Sequence, residues 1–177
     1  MKTLALDIDG VIGTIDYQKY GINGSDIIYW NYIKDKLGEN RFSEIYEKEW
    51  KEGNIKIIDN YVSIFIKNCQ EMDIRVIVNS VRDLRLVDCT VKWLNKNFGI
   101  GVNEIKILGQ DALKVKMGYD YVVDDNPFEA ISVPLNTILF LIDAPYNKNV
   151  NLKGKKNVFR VKNLQDVERN LNLLYCL

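Results

Sequence analysis

The chain contains no histidine. That single absence excludes imidazole acid–base catalysis, Ser–His–Asp triads and His-ligated zinc. Chemistry must rest on carboxylates, hydroxyls, lysine, arginine or thiols. Cysteine is scarce: Cys69, Cys89 and Cys176 are scattered and form no Cys-x-x-Cys pair. Neither a disulfide framework nor a metal knuckle is indicated, and free thiols in a reducing cytoplasm are expected. An excess of one charge is also lacking, since 24 Lys and Arg balance 24 Asp and Glu. A general nucleic-acid or membrane-surface binder needs basic excess, so neither is expected, whereas a local site for a small anion stays open. No apolar run reaches membrane-spanning length. The N-terminus enters a strand pattern at once, so no signal peptide is expected. Asn23-Gly24-Ser25 fits a glycosylation pattern but reads as a turn in a cytosolic chain.

The 177 residues suit one compact domain with room for a small insertion. Its organising stretch is Leu4-Ala5-Leu6-Asp7-Ile8-Asp9-Gly10-Val11-Ile12. The apolar start reads as a strand buried on both faces. Strand alternation sends Asp7 and Asp9 to one side and Ile8 to the other. Gly10 allows a sharp turn just past the strand end. Two carboxylates this close repel when both are ionised, a cost that a cation or an anion-directed chemistry explains. Alone, the stretch also reads as a polar turn after a core strand.

Downstream, strands and helices alternate. Residues 13–25 read as a loop with Gly21 and Gly24 as breakers. Ser25 is expected to cap a helix over 26–37, with Trp30, Ile33 and Leu37 on one face and Gly38 as its stop. A second helix is expected near 43–51, with Phe42, Ile45, Tyr46 and Trp50 along a stripe, and a third over 57–72. Strand two is expected over 74–80, a helix over 83–97, strand three over 104–108 and a short helical piece from Asp111 to Met117. Strand four is expected over 121–124, where Pro127 prevents continuation, and strand five over 137–142. A lysine-bearing solvated loop, a short strand at 158–161 and a last helix complete the chain. The alternation predicts an α/β fold with a mainly parallel sheet. In such sheets ligands sit beyond the carboxyl ends of the strands, where Asp7, Asp9, Ser80, Asp124 and Asp125 all fall. Four carboxylates there call for a hard divalent cation, and oxygen-only ligands favour Mg²⁺.

Asp7-Ile8-Asp9-Gly10-Val11, Val76-Ile77-Val78-Asn79-Ser80, Lys114 and Tyr121-Val122-Val123-Asp124-Asp125 follow one another in order. This set resembles the motifs of the haloacid dehalogenase-like phosphatases. The resemblance implies a three-layer Rossmann-like parallel sheet with core-strand order 3-2-1-4-5. It also implies a small helical cap after the first strand, here residues 13–53, with 1–12 and 54–177 forming the catalytic core. Asp7 would be the nucleophile that forms an aspartyl-phosphate, and Asp9 the general acid and base. Asp7, Asp124 and the backbone carbonyl of Asp9 would hold Mg²⁺, with Asp125 behind them or on a metal-bound water. Ser80 and Lys114 would hold phosphoryl oxygens. Lys116 competes with Lys114, which family spacing prefers.

Ser80-Val81-Arg82, Thr90-Val91-Lys92-Trp93-Leu94, Asp124-Asp125-Asn126-Pro127, Ala144-Pro145-Tyr146-Asn147 and Phe159-Arg160-Val161 are similar to segments of the 5′(3′)-deoxyribonucleotidase group. This implies a cytoplasmic nucleotidase for (deoxy)nucleoside monophosphates, with room for a homodimer. Arg82 would contact substrate phosphate or ribose, or else pair with an acid at the sheet edge. Tyr17, Tyr20, Tyr29, Trp30 and Tyr46 would stack on a nucleobase or pack the cap. Asn79 departs from the apolar residue usual before the hydroxyl. The alternatives are a phosphatase for another small metabolite or a nucleic-acid terminus, and a non-enzymatic phosphate- or Mg²⁺-binding module. A phosphoacceptor signalling domain would place its acidic pair first, and a dehalogenase would not need Asp9.

Overall fold

The computed structural model describes residues 1–29, 31–109 and 112–175. Trp30, Asp111 and Cys176 lie outside the described residues. Among these residues the order is β1 (Lys2–Leu6), β2 (Gly13–Ile15), α1 (Tyr32–Leu37), α2 (Glu39–Glu52), β3 (Ile55–Ile57), α3 (Val62–Glu71) and β4 (Ile74–Val81). Then follow α4 (Val87–Phe98), β5 (Ile105–Leu108), β6 (Tyr121–Asp124), α5 (Pro127–Ser132), β7 (Ile138–Ile142), β8 (Val158–Val161) and α6 (Leu164–Tyr175).

Six strands form one sheet in the order β5-β4-β1-β6-β7-β8, every pair parallel. In core-strand terms this is the expected 3-2-1-4-5, extended by β8. The chain winds outward from β1 through β4 to β5, then returns to β6 on the other side of β1. The crevice of this reversal lies at the carboxyl ends of β1 and β6, where open α/β sheets bind ligands. Leu6 pairs with Val123, so the next residues on the two strands, Asp7 and Asp124, come side by side.

Alternation along the strands builds two cores. Leu4, Leu6, Val76, Val78, Tyr121, Val123 and Phe140 face one side, against Val62, Phe65 and Cys69 of α3, Trp93 and Leu94 of α4, and Leu164, Val167 and Leu171 of α6. Ala5, Val122, Leu139 and Leu141 face the other, against Val115, Tyr119 and Ala130. No described helix is long and apolar enough to cross a membrane.

Several local expectations are corrected. The stretch read as a loop from Gly13 holds β2, which pairs antiparallel with β3. Ile55 and Ile57 alternate as strand residues, and the expected third helix starts only at Val62, after Asp59 Oδ1 accepts the Tyr61 N–H at 2.8 Å. The helix expected from Asp26 starts at Tyr32, because Ser25 lies within a separate 3₁₀ turn. The short helix expected before Met117 is one 3₁₀ turn, Lys114–Lys116. Pro127 does more than stop a strand: it occupies the first turn of α5, behind Asn126, whose side chain accepts the Phe128 N–H at 2.9 Å.

Phe65 of α3 is fully buried in the larger core. Phe65→Ala is expected to lower unfolding stability by about 3–5 kcal/mol, read as a lower denaturant midpoint; a loss below about 1 kcal/mol would show that this helix does not anchor the sheet.

Candidate active site

Past β1 the chain wraps around one carbonyl. Ile8 O accepts the N–H groups of Val11, Ile12 and Gly13 at 3.2, 3.0 and 2.9 Å. Gly10 makes this loop with φ +80°, and a Cβ there would lie 1.8 Å from Asp125 Oδ2. Both the left-handed backbone and the close approach of Asp125 therefore require glycine. Ile8 is buried in the core, while Asp7 and Asp9 project into polar surroundings, as alternation predicts.

Asp7, Asp124 and Asp125 are buried together at the ends of β1 and β6. Each presents a carboxylate oxygen, and these oxygens lie within 4.8 Å of one another. Lys114 Nζ lies between two of them, 3.1 Å from Asp7 Oδ1 and 2.7 Å from Asp124 Oδ2. Lys114 is buried and Lys116 exposed, so Lys114 is the one of the two that the fold brings to this site. Asp124 Oδ1 accepts the Asn126 N–H at 2.9 Å. Asp125 Oδ2 accepts the Tyr146 hydroxyl, while Asp125 Oδ1 is buried without a hydrogen-bond partner among the described residues.

Burial pushes the Asp7 carboxyl up to about 7, with Asp124 and Asp9 adding to the shift and Lys114 opposing it. Burial, then Asp124 and Asp7, pushes Asp125 well above the usual carboxylate range. Burial opposes the Lys114 charge, but Asp124 and Asp7 outweigh it and raise its pKa. One ammonium thus faces three carboxylates in a desolvated space. An orphaned carboxylate oxygen within an all-oxygen donor set suits a hard divalent cation such as Mg²⁺.

Ser80 lies one residue before the end of β4, on the other side of β1 from β6, and is 1 % exposed. Its Oγ accepts Arg82 Nε at 3.1 Å and Nη2 at 2.9 Å. Arg82 Nη2 also donates to Asp9 Oδ2 at 2.6 Å, so of its two expected partners the fold supplies an acid, Asp9. Tyr46 of α2 donates its hydroxyl to the same oxygen at 2.8 Å. The Asp9 carboxylate is therefore engaged apart from the Asp7–Asp124–Asp125 group. Tyr46 also packs against Phe42 and Trp50, and Tyr17 stacks on Phe42. The Tyr20 hydroxyl donates to buried Glu49 at 2.8 Å, which makes it a packing residue.

Three contributions escaped the sequence reading. Glu129 of α5, fully buried, accepts the backbone N–H groups of Lys114 and Val115 at 2.8 and 2.9 Å and so fixes the lysine turn. The Asn-Pro signal for α5 would have pointed toward it. Asn147 donates to the carbonyls of Asp125 and Ile142, each at 2.8 Å, tying the Asp125 loop to β7. Asn79 turns to the opposite sheet face and donates to the Tyr119 hydroxyl at 2.9 Å; nothing in the sequence signals that partner.

No family model matches the chain. No curated protein matches it either. Solved structures do. D,D-heptose 1,7-bisphosphate phosphatase from Burkholderia thailandensis aligns with TM-score 0.56 at 13 % identity, over 97 % of this chain and 99 % of its own. D,D-heptose 1,7-bisphosphate phosphatase from B. bronchiseptica, complexed with magnesium and phosphate, aligns with TM-score 0.52 at 13 % identity, over 98 % and 99 %. A haloacid dehalogenase-like family hydrolase from Xanthomonas campestris aligns with TM-score 0.59 at 11 % identity, over 98 % and 96 %. The fold is thus the one these haloacid dehalogenase-like hydrolases share.

Two expectations follow. Gly10→Ala puts a methyl into Asp125 and strains the loop, so it should destabilise the protein by about 2 kcal/mol or more, read by thermal melting; an unchanged midpoint would refute the close approach. The folded Asp7 value of about 7 lies above its ordinary 3.8. Protonated Asp7 therefore favours the fold fully below 3.8, and this contribution is lost as pH rises through about 7. A divalent cation held by these carboxylates would offset that loss, so the rise in melting temperature on adding Mg²⁺ over chelator should be larger at pH 8 than at pH 5.5. An equal rise at both would refute it.

Proposed function

We propose that the protein is a Mg²⁺-dependent phosphomonoesterase working through an aspartyl-phosphate. The observation that carries this is the buried group of Asp7, Asp124, Asp125 and Lys114 at the switch in strand order. Asp7 attacks phosphorus while the ester P–O bond breaks, and Asp9 gives its proton to the leaving oxygen. Asp9 then takes a proton from the water that attacks the aspartyl-phosphate, releasing phosphate and restoring Asp7. Lys114 and Ser80 hold the transferring oxygens, by charge and by hydrogen bond. Mg²⁺ is held by Asp7, Asp124 and the Asp9 backbone carbonyl, with Asp125 beside them. Its positive charge offsets the repulsion between the phosphate and the Asp7 carboxylate. The B. bronchiseptica phosphatase complexed with magnesium and phosphate supports this choice of ion and ligand.

The substrate class we infer is (deoxy)nucleoside 5′-monophosphates, on the deoxyribonucleotidase-like segments. Residues 13–53 then act as the selecting cap over the core of 1–12 and 54–177. The aromatic run Tyr17, Phe42, Tyr46 and Trp50 lies in that segment, on the side of Asp9, where the leaving group departs.

The test is phosphate release from a panel of nucleoside monophosphates and sugar phosphates, with Mg²⁺ and with chelator. Release from nucleotides is expected, lost in chelator and reduced about a thousandfold or more in Asp7→Asn. Turnover of sugar phosphates alone would keep the chemistry and overturn the substrate. Silence across the panel from folded, Mg²⁺-binding protein would overturn the enzyme reading.

A further inference from the structure

We propose that Arg82 and Tyr46 are positioning residues that clamp Oδ2 of Asp9, leaving Oδ1 as its proton-transfer atom, and that Arg82 also turns the Ser80 hydroxyl toward the substrate anion. This rests on the phosphatase reading above.

The clamp is built from two directional donors on one atom. Arg82 Nη2 lies 2.6 Å and the Tyr46 hydroxyl 2.8 Å from Asp9 Oδ2. Among the described residues no donor reaches Oδ1, and about a third of the Asp9 side chain is open, at 35 % exposure. An oxygen that already accepts two hydrogen bonds is a poor seat for a proton, so the carboxyl proton sits on the other oxygen. Oδ1 therefore serves the leaving group and the water.

The same guanidinium sets Ser80. The hydroxyl oxygen accepts from both Nε and Nη2. A hydroxyl has two lone pairs and one O–H, so filling the lone pairs leaves the O–H to point away from Arg82. It has no acceptor among the described residues, and a phosphoryl oxygen supplies one.

Arg82 itself has no fork left for a phosphate. Bidentate anion recognition uses two parallel N–H groups along one edge of the guanidinium. The Nε–Nη2 edge is on Ser80; the Nη1–Nη2 edge is on Thr90 Oγ1, at 2.8 Å, and on Asp9. One face lies 4.0 Å from the Trp50 ring centroid, and the residue is 3 % exposed. Arg82 is thus a bracket between β4, α4, the loop after β1 and α2, rather than a substrate ligand. Because Tyr46 and Trp50 both belong to α2, the proton-transfer geometry depends on the inserted segment.

The test compares wild type, Tyr46→Phe, Arg82→Lys and the double variant in the presence of Mg²⁺. Steady-state kinetics use a monoester that wild type hydrolyses, and calorimetry reads the affinity for inorganic phosphate. The expected loss in kcat is about tenfold for Tyr46→Phe and about a hundredfold for Arg82→Lys. KM and phosphate affinity should stay within about twofold. The double variant should lose less than the product of the two, because both residues act on one oxygen. A rise in KM or a loss of phosphate affinity of about tenfold in Arg82→Lys would make Arg82 an anion ligand and overturn the proposal. So would unchanged kcat in both variants, or losses that multiply. If Arg82→Lys fails to fold, Tyr46→Phe, which keeps its ring among Phe42 and Trp50, decides alone: lower kcat at constant KM supports the clamp, and unchanged kcat refutes it. A silent wild type is a different result, since it removes the phosphatase reading and the clamp with it.

Discussion

Three carboxylates share one ammonium in a largely buried space. Lys114 reaches Asp7 and Asp124 directly, and Asp125 stands beside them with one oxygen unpartnered. In a low-dielectric setting such charges interact strongly, so the group keeps a proton on its carboxylates or gains a cation. Much of the surrounding structure holds this imbalance in place. Glu129 fixes the backbone of the lysine turn, Asn147 fixes the carbonyl of Asp125, and Tyr146 donates to its carboxylate. Gly10 leaves room for that carboxylate by having no Cβ.

The winding of the sheet explains why these groups meet. β1 lies between β4 and β6, and their parallel register brings three carboxyl ends to one edge. The two halves of the site differ in character. On the β6 side, charge is crowded and desolvated, which suits a cation. On the β4 side, Arg82 satisfies Asp9, Ser80 and Thr90 at once and stacks on Trp50.

Much of the core was legible. Buried parallel strands are near-continuous apolar runs, so Val76–Val78 and Tyr121–Val123 announce themselves, and the helix stop expected at Gly38 is a C-cap, as are Gly53 and Gly99. Less legible was the segment between β1 and α3. Ile55-Lys56-Ile57 is too short for a two-residue period to stand out beside the helical pattern that follows, and its strand character comes from pairing with β2. α5 is hidden because a proline after a strand marks a strand stop and a helix start equally well.

Sequence alone determined that no histidine is available, that Asp7, Ser80 and Asp124 fall at or beside the ends of apolar strands, and that strands and helices alternate. Those are consequences of residue type and local period. Tertiary structure decided which partners those residues have. It placed Lys114 and not Lys116 between Asp7 and Asp124, and gave Arg82 to Asp9 and Ser80. It also brought Tyr46 across 37 residues to Asp9 and set Glu129 beneath the lysine turn. Local pattern carries no information about such pairs, because a side chain's partner is set by strand order, register and the packing of helices from distant parts of the chain.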